Sequence, residues 1–186
     1  MFDISLQIRR DALAKAEPGQ VGNEYELVSL ESQIAAACEL LQESKVAEFR
    51  MVLCSEEPWP VDTWLDLASF LEQVTGVLKM IGEGGRLFHV DMWEEGIEAM
   101  IVLHRVGDMV RVRCSHRMER RRLSFVTPGA EATVPTVLVA YQIGQLVQAF
   151  AECCERVCPQ ILALAAMQMW RREVARHVEK IIGPRV

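Results

Sequence analysis

The sequence predicts an α+β domain in which an antiparallel sheet of about four to five strands is packed by amphipathic helices, with a helical hairpin at the C-terminus. Three observations lead there. Runs that alternate apolar and polar residues recur near the start, around residue 50 and at short intervals between 86 and 115. Apolar stripes at helical spacing separate and follow those runs. The 186 residues are 51% hydrophobic and 25% charged, a balance that supports one substantial core. Residues 1–186 are therefore expected to form a single domain, with the sheet and two helices in 1–130 and the hairpin in 131–186.

Phe2, Ile4, Leu6 and Ile8 alternate with Asp3, Ser5, Gln7 and Arg9, the pattern of a strand with one buried face. Glu17-Pro18-Gly19-Gln20 and Gly22-Asn23 mark a loop, followed by a short extended segment from Tyr25 to Ser29. Leu30, Ile34, Ala37, Cys38 and Leu41 then form the apolar stripe of a helix started by Ser29. Phe49, Met51 and Leu53 read as a strand that ends at Ser55-Glu56-Glu57-Pro58. The next helix is bounded by Pro58 and Pro60, capped by Asp62 or Thr63, and stopped at Gly82. Its inner stripe is Trp64, Leu67, Ala68, Leu71, Val74, Leu78 and Ile81, with Asp66, Glu72 and Lys79 on the far side. Arg86 to Trp93, Ile97 to His104 and Met109 to Ser115 form an antiparallel meander. Two helices separated by Cys158-Pro159 close the chain, with stripes Val139, Ile143, Leu146, Phe150, Cys154 and Val157 facing Met167, Trp170, Val174, Val178 and Ile181.

The uncharged stretch from Ala132 to Ala151 has the length of a membrane span. Pro135, Gly144 and the glutamines at 142, 145 and 148 give it a polar side, so an amphipathic helix is expected instead. The start, MFDISLQIRRD, lacks the basic leader and apolar run of a secretory signal, and six cysteines lie mostly among apolar residues. These features suit a cytoplasmic protein with reduced thiols.

Charge is unevenly spread. Residues 1–100 hold 19 acidic and 7 basic side chains, a balance of −12, whereas residues 101–186 hold 7 acidic and 13 basic, a balance of +6. Acidic groups flank tryptophans at two places: Glu56, Glu57, Asp62 and Asp66 beside Trp59 and Trp64, and Glu94, Glu95 and Glu98 beside Trp93. Exposed aromatics supply desolvated contact area and carboxylates steer a basic protein into place. Glu56, Glu57, Trp59, Asp62, Asp66, Trp93, Glu94, Glu95 and Glu98 are accordingly the expected partner contacts. For Trp64 a place in the core is the better expectation, and Trp93 is open to the same reading.

Other chemistries find less support. The run Arg117-Met118-Glu119-Arg120-Arg121-Arg122 could meet phosphates, yet the chain is acidic and the run holds no stacking aromatic, so no nucleic acid is expected. Cys154 and Cys158 share a helix face without any further ligand pattern, and no metal or other cofactor is expected. Gly82-Glu83-Gly84-Gly85 lacks the lysine and hydroxyl of a phosphate loop. Cys114 and His116, two apart on a strand, share one face and are the best candidates for a thiol enzyme, but nothing in the sequence supplies a group to orient the imidazole.

In size, acidity, the Glu-Glu-Pro-Trp-Pro lead into a helix and a three-stranded meander with acidic turns, the chain resembles bacterial polymorphic-toxin immunity proteins. That resemblance implies a non-enzymatic inhibitor that neutralises a cognate basic toxin or effector domain by tight binding. Two alternatives remain open: an acidic secretion chaperone, which could form a homodimer through the C-terminal hairpin, and a thiol-dependent enzyme using Cys114 and His116.

Overall fold

A computed structural model describes residues 2–22, 26–54, 56–92, 99–116 and 130–183. The chain runs β1 (Phe2–Ile8), α1 (Arg10–Lys15), α2 (Leu30–Ser44), β2 (Ala47–Leu53), α3 (Leu65–Glu83), β3 (Leu87–Met92), β4 (Ala99–Val106), β5 (Met109–His116), β6 (Glu131–Pro135), α4 (Thr136–Val157), α5 (Pro159–Leu162) and α6 (Ala165–Ile182). The α+β class is as the sequence predicts, but the strands divide into two sheets. β1 and β2 form an antiparallel pair by themselves, and β3-β4-β5-β6 form a four-stranded antiparallel sheet in sequence order.

Several local expectations change. Residues 131–135, assigned to the hairpin segment, are β6 at the edge of the larger sheet, where Val134 pairs with Val110. α1 was not expected, because six residues are too few for a periodic stripe. Within the expected extended segment, 27 and 28 form a turn, and Tyr25 lies outside the described residues. α3 continues through Gly82 and stops at Gly84, which takes the left-handed conformation at φ +80° that favours glycine. The second half of the hairpin is a one-turn α5, with Pro159 opening it, followed by α6.

Start signals act as the sequence suggests at two helices. Ser29 and Ser32 form a reciprocal capping box at α2. Asp62 accepts the amides of Trp64 (2.8 Å) and Leu65 (2.7 Å) ahead of α3. Asp66 returns the favour by accepting the amide of Asp62 at 2.9 Å.

One core runs through the molecule. α3 buries Phe70, Val77 and Met80 in addition to its inner stripe, because it is covered on more than one side by β3, α2 and α6. Phe150 on α4 meets Trp170 on α6 edge-on at 6.2 Å, joining the hairpin to the core. Gly76 lets α3 sit against β3, since a Cβ there would collide with the ring of Phe88. Gln73 ties the same helix to the sheet edge: its amide donates to the Asp91 carbonyl (2.8 Å) and its oxygen accepts the Asp91 N–H (2.9 Å). A side-chain amide thus occupies edge hydrogen-bonding groups that would otherwise invite another strand.

The larger sheet has two unlike faces. Val90, Ile101, Val112 and Val134 point into the core. On the other face His104 and Arg111 are neighbours across the ladder, as are Val102 and Arg113, and Glu131 pairs with both arginines, at 2.8 Å to Arg111.

Candidate functional site

The expected contact surface is only partly assembled. Glu56 and Glu57 are exposed on the approach to α3, and Asp62 is half-buried. Trp59 is buried at 3% exposure, and its backbone N–H donates to the Met51 carbonyl at 2.8 Å, folding the Glu-Glu-Pro-Trp-Pro segment back on β2. Asp66 is buried at 2% exposure within the first turn of α3. Neither Trp59 nor Asp66 is presented to a partner, which corrects that part of the expectation. The reason is local. A tryptophan between two prolines gains more from core burial than from water, and a carboxylate at a helix start is held by amides and the helix dipole. Trp64 is half-buried and packs on the core, close to its expected place. Trp93, Glu94, Glu95 and Glu98, together with the basic run 117–122, lie outside the described residues.

The tertiary structure gathers a different set of carboxylates. Gln42, near the end of α2, accepts the Thr63 amide just ahead of α3 at 3.2 Å, while Glu31 in the first turn of α2 acts on Glu72 midway along α3. The two helices therefore run antiparallel and bring the exposed Glu31 and Glu72 within electrostatic reach of each other. Glu39 and Glu43 lie on the same helix as Glu31, with Glu43 exposed. Among the described residues no cation pairs with Glu31, Glu39, Glu43, Glu56 or Glu72. Partial loss of hydration at its flank, and then the Glu31 charge, raise the carboxyl of Glu72 above the ordinary glutamate value. Near the other end of α3 a carboxylate is matched: Lys79 reaches Glu173 on α6 at 2.9 Å and lowers the pKa of that carboxyl. Helical spacing puts Glu72 on the far side of α3 from its inner stripe, but its approach to Glu31 needs the α2–α3 packing.

The thiols also rearrange the expected picture. The Cys114 side chain faces inward and lies 3.5 Å from the sulfur of Cys54; the His116 side chain lies outside the described residues. The Cys114 thiol is pushed well up by its hydrogen bond to Cys54 and by burial, which does not suit the nucleophile that the thiol-enzyme alternative would make of it. Cys154 and Cys158 are buried at the end of α4, and among the described residues no cluster of three or more His, Cys, Asp or Glu side chains could hold a metal.

A groove of about 530 Å³ follows the seam of α4 and α6, lined in part by Tyr141, Gln145, Gln148, Arg171 and Val178. Gly144 brings the helices close there, its missing Cβ facing Val178. By length and composition α4 could cross a bilayer, and half of its apolar window is buried inside the fold.

No family model matches the chain, and comparison with curated proteins and with solved structures finds no match.

Proposed function

We propose that this chain is a protein-binding inhibitor, of the kind represented by toxin immunity proteins, and that the acidic surface of α2 and α3 covers a basic surface of its partner. The observation that carries this reading is that Glu31, Glu43, Glu56 and Glu72, on and beside α2 and α3, are all exposed with no cation paired to any of them among the described residues, Glu31 and Glu72 lying within electrostatic reach of each other as a pair of like charges. A fold gains nothing from such a pair by itself. A lysine or arginine from a partner would relieve the repulsion, and the exposed Glu43, Glu56 and Glu57 toward the other end of the helix pair would speed its approach. In this reading the protein acts in the cytoplasm, without a cofactor and without catalysis of its own.

The test is affinity capture from the source cells at low ionic strength, using wild type and Glu31→Lys/Glu72→Lys. The expected result is a basic protein retained by wild type, released by salt, and lost from the variant. Equal retention by both proteins, or retention insensitive to salt, would refute the acidic surface as the contact. If the retained protein is toxic when expressed alone and harmless with wild type, the inhibitor reading is supported; a retained protein with no such toxicity counts against it.

A further inference from the structure

We propose that Cys54 and Cys114 form an oxidant-responsive dithiol site that closes to an intrachain disulfide on exposure to hydrogen peroxide. This inference is independent of the acidic surface and rests on the geometry of six free thiols.

Cys54 and Cys114 come from different sheets. Cys54 follows the last residue of β2, and Cys114 lies inside β5, 60 residues further along. Their sulfurs are 3.5 Å apart, so closing to the about 2.05 Å of a disulfide asks each sulfur to move by less than about 1 Å. The backbone at Cys54 has φ +57°, a left-handed conformation that a non-glycine residue seldom adopts and that turns its side chain toward β5. There the thiol donates to the Val112 carbonyl at 3.2 Å.

The two sulfurs are unlike. Cys54 is half-buried, with part of its side chain reaching solvent, whereas Cys114 is buried. The Cys114 thiol donates toward the Cys54 sulfur, and that hydrogen bond, helped by one from the Ala132 backbone, lowers the Cys54 thiol against the opposing effects of burial and Glu131. Cys54 is thus the attacking sulfur and Cys114 the resolving one.

The chemistry balances in two steps. The Cys54 thiolate attacks one peroxide oxygen; an S–O bond forms, the O–O bond breaks, and hydroxide leaves as water after taking a proton, giving a sulfenic acid. The Cys114 sulfur then attacks the Cys54 sulfur; the S–S bond forms, the S–O bond breaks, and the departing hydroxide takes the Cys114 proton as a second water. Two thiols are oxidised by two electrons in total and one peroxide is reduced by two.

The remaining thiols provide an internal control. Cys38, Cys153, Cys154 and Cys158 are each at most 1% exposed. Burial pushes Cys38 and Cys154 up, and Cys153 up to about 12.

The test treats reduced full-length protein with hydrogen peroxide, blocks free thiols in denaturant and maps the peptides by mass spectrometry. The expected result is four blockable thiols instead of six and one crosslinked peptide joining Cys54 to Cys114. Cys114→Ser should retain a sulfenic acid at Cys54 that dimedone traps, and Cys54→Ser should keep all five of its thiols free. Six blockable thiols in treated wild type, a Cys154–Cys158 crosslink instead, or a crosslink between chains would overturn the proposal. Because the mapping is decisive on wild type, a variant that fails to fold does not rescue it.

Discussion

Replacing Glu72 with Gln removes one of the two carboxylates that α2 and α3 bring together, at nearly unchanged size. In the folded protein the Glu72 carboxyl is raised, first by partial desolvation and then by Glu31. Its ionised form therefore costs stability. Because the side chain reaches solvent, the relevant scale is that of exposed charge pairs, about 0.5 kcal/mol in a low-salt buffer. For a chain of this length that corresponds to a rise in Tm of about 1–2 °C. The sign with pH follows from linkage. A carboxyl whose folded pKa exceeds its unfolded value penalises the fold at pH above the folded value, and the penalty is gone below the unfolded value, near 4.5. Glu72→Gln should therefore be more stable than wild type at pH 7 and indistinguishable from it in acid below that value. Urea unfolding of wild type, Glu72→Gln, Glu31→Gln and the double variant at low ionic strength gives the measurement. The double variant should gain less than the sum of the singles, since both remove the same repulsion. A loss of stability in Glu72→Gln at pH 7, or a gain that persists unchanged in acid, would refute the reasoning. The same substitution should weaken salt-sensitive partner capture, so that stability and binding move in opposite directions.

Two further substitutions test how the surrounding structure holds that surface. Asp62→Ala deletes the acceptor for the amides of Trp64 and Leu65 and should cost about 1–2 kcal/mol in chemical unfolding, with Asp62→Asn recovering most of it; equal losses for both would show that the acceptor is not what matters. Gly76→Ala places a methyl group into the ring of Phe88 and should destabilise by about 1–3 kcal/mol, whereas Gly76→Ala combined with Phe88→Leu should recover part of that loss; a neutral Gly76→Ala would mean that α3 can lift off β3 freely.

Charge at the level of the whole chain and charge at a surface turn out to be different quantities. The first hundred residues hold a balance of −12, yet their acids have several fates: Asp66 is buried at a helix start, Glu48 pairs with Arg9, and Glu31 and Glu72 stand together without a cation among the described residues. In the second half, the paired arginines at 111 and 113 occupy the sheet face turned away from the core, where Glu131 partly neutralises them. The two charge balances therefore overstate how much bare charge either half presents.

Periodicity alone determined much of this protein. The strand at the start, α2 with its Ser29 cap, α3 with Asp62 ahead of it, the three-stranded meander and the facing stripes of α4 and α6 all follow from spacing, because each is set by neighbours within a few residues. Tertiary structure decided what spacing cannot encode. β6 is recognisable only through its pairing with β5, since five residues carry too little pattern. Asp66 falls on the polar side of a helical wheel and is nevertheless buried, because the segment from Trp59 to Asp62 folds over that end of α3. Cys54 and Cys114, 60 residues apart, meet only because the end of β2 is laid against β5. The same holds for Glu31 and Glu72: the sequence made each helix polar on one side, and only the packing of α2 on α3 brought the two carboxylates within electrostatic reach.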